Sequence, residues 1–188
     1  MDVDKAIKER HSVRVFKKEK KPNYREVISA IDAARKAPLA GNNYALKYIL
    51  VQDKEIIKQL AEAAQQNFIA DVSYILVVCS DKKELNKLYY ERGKMYSHQQ
   101  AGAAIENLML KLVDLGLSTC WVGAFSDQIV KRVLQIPENI DVEAILPIGY
   151  EMGKAKQRTK PDLDDVLFFD LWKNKFMKPR RTVLGSQT

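Results

Sequence analysis

The chain of 188 residues carries two cysteines, two histidines and six prolines, and each shortage closes off a class of protein. Cys79 and Cys120 sit inside the apolar runs "YILVVCS" and "STCWVGAF" without CxxC spacing. They read as two buried thiols rather than a disulfide or redox pair. His11 and His98 are far apart, and no HExxH or acidic loop accompanies them, so no metal site is expected. No run of about 18 apolar residues is present to span a membrane. The start "MDVDKAIKER" lacks the apolar core of a signal peptide. A cytoplasmic protein with no membrane partner is the expectation.

What is present is an ordinary globular balance, 46% hydrophobic and 29% charged, with a formal net charge of +7. An excess of positive charge favours anions. Much of the lysine, however, is dispersed beside glutamate in "KEIIKQLAEA" and "KKELNKLYYERGK", as on solvated helix faces. A nucleic-acid partner would call for an RNP, zinc-finger or helix-turn-helix pattern, and the sequence has none.

Helical and extended segments alternate. Asp2 can cap a helix over about residues 3–10, and Asn23 with Glu26 forms a capping box for a helix that Pro38 stops. "KYILVQ" (47–52) and "SYILVVCS" (73–80) read as strands around the helix "KEIIKQLAEAAQQ". The segment 99–117, "QQAGAAIENLMLKLVDLGL", is apolar on most sides and reads as a deeply buried helix. "STCWVGAF" and "EAILPIGY" are further strands, separated by the capped helix "SDQIVKRVLQI". Helices around about four strands make an α/β or α+β sandwich. Nothing splits the chain, so 1–188 is expected to be one domain. Residues 155–188 would form a polar, basic connector and a C-terminal arm, whose "VLFFDLWKNKFM" is too apolar to hang in water and is expected to wrap a partner subunit.

The stretch "RHSVRVF" (10–16) raises a sharper question. If it is extended, Arg10, Ser12 and Arg14 share one face at about 7 Å spacing, while Val13 and Val15 point to a core. Two guanidiniums and a hydroxyl on one side can hold an anion; a basic strand face under water carries the same pattern. "APLAGNNYALKYILV" (37–51) contains a loop with polar amides. Gly123-Ala124 and Gly149 each leave a place where a planar ligand could approach backbone.

Taken in order, "RHSVRVF", "APLAGN", "GLSTCWVGAF" and "LPIGYE" resemble the motifs of the FMN-dependent nitroreductase family, over roughly residues 3–175. The resemblance implies an α+β three-layer sandwich, a mixed, mostly antiparallel sheet flanked by helices. It also implies a homodimer with exchanged C-terminal arms. By resemblance Arg10 and Ser12 bind the FMN phosphate, and Arg14 brings positive charge to the pyrimidine edge of the flavin. Arg158 or Lys160 completes the phosphate clamp. Pro38, Leu39, Ala40 and Asn42 match a loop given by the other subunit. Trp121, Val122, Gly123 and Ala124 match the backbone beside flavin N5, and Gln66 and Asn67 lie near a side-chain amide contact to the ring. Gly149 and His11 fall within the same motifs, His11 without an assigned contact.

The resemblance further implies ping-pong hydride transfer from NADH or NADPH to a nitroaromatic, quinone or similar small oxidant. The flavin performs the chemistry, so no protein residue is expected to be catalytic. A lid is expected within "YYERGKMYSHQQ" (89–100), with Tyr96 available. The family's usual "PSxxNxQPW" reads Pro38 to Leu46 as "PLAGNNYAL" here, which loses a hydroxyl at Leu39 and changes the acceptor side. A flavin carrier or sensor, a reductive dehalogenase and a flavin-fragmenting enzyme are the alternatives within the same family.

Overall fold

The strand "YILVVCS" organises the molecule. In the computed structural model, which describes residues 2–153 and 159–177, this is strand β2 (Tyr74–Ser80), buried along its whole length. It pairs antiparallel with β1 (Leu46–Val51) on one side and β4 (Asp141–Gly149) on the other. β4 in turn pairs with the short β3 (Ser118–Thr119), so the sheet order is β1-β2-β4-β3.

Because side chains alternate along a strand, β2 feeds two cores. Tyr74, Leu76 and Val78 meet helices α2 (Tyr24–Ala34) and α5 (Arg92–Asp114) on one face. Ile75, Val77 and Cys79 meet α3 (Lys54–Ala64) and α6 (Asp127–Leu134) on the other. Helices, sheet and helices make the expected three-layer sandwich. Each fully buried Leu or Ile on β2 contributes about 1.5–3 kcal/mol relative to an exposed one, which is why a continuous apolar run can only be central.

Local chemistry sets the helix starts. The Asn23 side chain accepts from the Arg25 N–H, and Asp53 accepts from the N–H groups of Glu55 and Ile56 at the start of α3. Helix α1 (Val3–Glu9) is shorter than expected, and Asp2 precedes it without a side-chain cap. Helix α5 begins at Arg92, a full two turns before the apolar segment. Together with α4 (Lys83–Tyr89) it turns the expected lid into a helical hairpin, bent at Tyr90 (φ 51°).

"GLSTCWVGAF" forms less strand than expected. After Thr119 only Val122 rejoins the sheet, exchanging N–H···O bonds of 3.1 and 3.0 Å with Ile145. A bulge in β4 sets Val78 against Ala144 and Cys79 against Val142, leaving Glu143 as the extra residue. Its carboxylate accepts from the buried Ser80 hydroxyl and lies 2.8 Å from Nδ1 of His98.

The chain divides at Ala155 into two units. The second, described from Thr159, contains the single turn α7 (Leu163–Val166). Phe168 and Trp172 pack ring to ring at 4.8 Å, and the Lys175 ammonium sits 4.2 Å from the Phe168 ring centre. Leu163, Val166, Leu171, Trp172, Phe176 and Met177 are exposed.

Candidate functional site

The N-terminal stretch leaves α1 and crosses the end of the sheet. Ser12 forms a parallel bridge with Thr119, with the Val13 N–H donating to the Thr119 carbonyl at 3.0 Å. Four residues on, Phe16 bridges antiparallel to Glu151, framed by Lys17 N–H to Tyr150 O (2.8 Å) and Met152 N–H to Val15 O (2.9 Å). Residues 12–17 are thereby stitched to "STCWVG" on one side and "GYE" on the other. Three motifs far apart in sequence meet at one sheet end. The parallel bridge also gives the sheet its mixed character.

The expected alternation holds only in part. Val13 is buried and Ser12 and Arg14 are exposed, but Val15 is 52% exposed and the next core residue is Phe16. The switch to the Glu151 bridge rotates the chain between residues 13 and 16, so the core spacing is three rather than two. Arg10 is half-buried, its Nε 3.3 Å from the Glu106 carboxylate on α5. Arg14 and Ser12 both reach Cys120: burial pushes the Cys120 thiol up, while the Arg14 charge and a Ser12 hydrogen bond pull against that rise.

The turn after α3 joins this region. Gln65 ends α3 in the left-handed conformation, and Gln66 and Asn67 lead into a short 3-10 turn, Asn67–Asp71. Phe68 stacks on Phe16 at 6.4 Å, and the Ser126 N–H donates to Ala63 at the end of α3. Gln66 and Asn67 thus lie between the N-terminal stretch and the segment that follows Trp121. Trp121 is 40% exposed, its ring edge resting on α5 at Gly102, where a Cβ would come to 3.9 Å.

The two glycines of the site do different work. A Cβ at Gly123 would meet nothing within 4 Å, so open space flanks the exposed backbone of Gly123 and Ala124. Gly149 corrects the sequence expectation. It is buried, and a Cβ there would lie 2.9 Å from Phe16 Cδ1 and 3.1 Å from Val72 Cγ1. Its missing side chain seats Phe16 instead of opening a face to a ligand.

Pro38, Leu39, Ala40 and Asn42 are not bonded to this cluster. They form a turn over Ala40–Asn42 with Gly41 at φ 54°. The turn is held against α5 by Gln100, whose amide donates to Asn43 O at 3.1 Å and accepts from Ala45 N–H at 3.4 Å. Lys160 is exposed within its own unit, and Arg158 lies outside the described residues.

Glu106, Gln100 and Glu151 escape the sequence reading. The first two lie on α5 among several other polar residues, so the sequence carried no signal that singles them out. Among the described residues no group of three or more His, Cys, Asp or Glu could hold a metal, and no helix is long and apolar enough to cross a membrane.

The arrangement suits a phosphorylated, planar ligand such as FMN. Arg10, Ser12 and Arg14 supply cationic and hydroxyl donors on one edge, and the open backbone at Gly123 admits a flat ring. The Thr119 hydroxyl, 4% exposed, has no hydrogen-bond partner among the described residues. A buried hydroxyl left so is costly.

The comparisons with known proteins point to one family. The sequence model of the Nitroreductase family matches residues 7–71 and 63–150. A protein of Archaeoglobus fulgidus named an NADH dehydrogenase/NAD(P)H nitroreductase is 31% identical over 168 residues, 84% of this chain and 93% of that one. An iodotyrosine deiodinase of Thermotoga neapolitana is 26% identical over 76% of this chain and 85% of its own. The crystal structure of a nitroreductase family protein from Clostridium difficile superposes with a TM-score of 0.82 at 26% identity, covering 91% of this chain and 99% of that one. From the three stitched motifs, the three-layer sandwich and these likenesses, the chain belongs to the nitroreductase family of flavin oxidoreductases.

Proposed function

We propose that the protein is a homodimeric FMN oxidoreductase that takes hydride from NADH or NADPH and passes it, in a ping-pong cycle, to a small oxidant such as a nitroaromatic or quinone. The Ser12–Thr119 bridge carries this reading, because it lays the basic row along the open backbone that ends at Gly123. Bound FMN supplies reversible hydride acceptance at its ring.

The chain supplies the hold and the field. Arg10 and Ser12 bind the phosphate by charge-assisted hydrogen bonds, about twice as strong as neutral ones. Arg14 places positive charge where the reduced ring is negative. The Gly123 and Ala124 backbone, with Gln66 and Asn67, lies against the ring, and the family resemblance makes Lys160 or Arg158 the candidate for the remaining phosphate contact. Hydride transfer needs no protein acid or base, so orientation is the main contribution.

Two features support the dimer with exchanged arms. Gly102, Ala103, Leu110 and Val113 of α5 are left half-buried in one protomer. The second unit exposes Leu171 and Trp172 at 74% and 80%, apolar area that a partner would cover. The Pro38–Asn42 turn, held from behind by Gln100, then belongs to the partner's site.

The test is spectroscopic. Purified protein should carry a flavin absorbance band, or regain it with FMN, and should bleach when NADH or NADPH is added without oxygen. A colourless protein that FMN cannot reconstitute rejects the proposal. The Thermotoga neapolitana relative favours a second reading, reductive dehalogenation at the same site. Mixing the reduced protein with a halogenated phenol or a nitroaromatic separates the two, since the true acceptor restores the oxidised band fastest.

A further inference from the structure

His11 stands between the two residues assigned to the phosphate, and its own partners are elsewhere. Its Nδ1 lies 2.7 Å from the carbonyl oxygen of Glu9, and its Nε2 lies 3.0 Å from Oε1 of Glu151. Both partners are acceptors, whereas a neutral imidazole carries a single N–H. Both contacts are hydrogen bonds only when the ring is doubly protonated.

We propose that His11 is a positioning residue for the FMN phosphate: as an imidazolium it clips the Arg10–Ser12 backbone to the end of α1 and to Glu151 beyond β4. The inference rests on the flavin reading of the site. The clip closes a loop that the backbone leaves open. Arg10 N–H is tied to Ala6 O at 2.9 Å, and the next backbone tie is at Val13. On one side these residues bridge to Thr119 through Ser12; on the other the His11 ring, with its side chain 24% exposed, adds a second tie. Loss of either of its bonds loosens the backbone between Arg10 and Ser12, and a phosphate site that must be ordered on binding is weaker.

The electrostatics agree. Glu9 lies in the last turn of α1, where unpaired carbonyls concentrate partial negative charge and favour a cation. Glu151 faces the ring from the segment after β4 and Arg10 from the adjoining position, while Glu106 on α5 is engaged by Arg10. Burial disfavours the charged ring. The Glu9 carbonyl and the Glu151 carboxylate outweigh burial and the repulsion from Arg10, and the pKa is raised above 6.5. A raised pKa means the clip is intact at low pH and is lost as pH rises through the folded-state value.

The test measures FMN affinity by flavin fluorescence between about pH 6.5 and 8.5, below ionisation of the flavin imide, with the phosphate's own second ionisation near 6 corrected by the same series on the variants. Histidine NMR titration of the flavin-free protein runs in parallel. The wild-type dissociation constant should rise about five- to tenfold across that range, in step with the His11 titration. His11→Gln and Glu151→Gln should bind FMN more weakly at pH 7, with a flatter profile, and Glu151→Gln should lower the His11 midpoint. Glu151→Gln leaves the ring in place, so it decides the matter should His11→Gln fail to fold.

FMN binding that is equally pH-dependent in wild type and both variants would overturn the role while leaving the flavin site standing. A His11 midpoint below 6.5 would do the same. A wild-type protein that takes up no FMN, yet shows the Glu151-dependent shift of His11, would overturn the flavin reading and this role with it.

Discussion

Ser12 and Thr119 are neighbours across the one parallel junction among the described strand pairings, and that junction ties the N-terminal stretch to the end of the sheet. Neither residue is unusual in its own segment. What matters is that Ser12 brings Arg10 and Arg14 with it, and Thr119 brings the open backbone up to Gly123. The site is made by pairing two strand ends more than a hundred residues apart.

Arg10→Ala should weaken FMN binding about 10- to 100-fold, since a hydrogen bond to a charged group is worth about 1.5–3 kcal/mol. Stability should move little, because the Arg10–Glu106 pair is partly exposed and such pairs contribute about 0–1 kcal/mol. Flavin fluorescence titration beside thermal unfolding checks both halves. Unchanged affinity would remove Arg10 from the phosphate site.

Gly149→Ala should destabilise the protein by about 1–3 kcal/mol, the usual cost of overpacking a core. The new methyl would press on the buried Phe16 ring and on the half-buried Val72. Phe16 anchors the N-terminal stretch, so FMN affinity should fall together with the melting temperature. At this chain length each kcal/mol shifts the midpoint by about 2–4 °C, which calorimetry resolves.

The same glycine shows where sequence reading stops. The sandwich was legible because β2 and the second half of β4 are continuous apolar runs and α3 and α6 are periodic, patterns that local burial dictates. The partners were not: Glu106 answers Arg10 and Glu151 answers His11 only once α5 and β4 are stacked at the sheet end. Gly149 suggested a ligand face because the sequence cannot say which neighbour fills the gap, and the neighbour is Phe16. The 89–100 segment was expected to hold a lid because it leads into the central helix, and its polar sequence gave no sign of the close packing of Gly93 on Leu85 and Asn86.

Glu143→Ala should cost about 1–3 kcal/mol, because it leaves the fully buried Ser80 hydroxyl without its acceptor. His98 would lose the same carboxylate, but its side chain is 43% exposed and water can replace that bond. The double variant Glu143→Ala with Ser80→Ala should therefore recover much of the loss, whereas adding His98→Ala should recover little. Denaturant unfolding of the three proteins measures the difference.

Cys79 offers a pH-dependent test of the core that does not involve the site. Burial, then the neighbouring Glu143 carboxylate, push its thiol up to about 11 from 9.0, against a smaller pull from Lys131. The folded state therefore binds this proton more tightly than the unfolded chain. Its contribution to stability is complete below pH 9 and is lost as pH rises from 9 towards 11. The native protein should resist alkylation at mildly alkaline pH, since the thiolate is the reactive form, and the burial of Cys120 extends that resistance to both thiols. Denaturant should expose both together, as two halves of one cooperative sheet. Cys79→Ala should flatten the decline in stability above pH 9, measured by urea midpoints at a series of pH values. A variant that still loses stability as steeply as wild type would place the alkaline transition on another group.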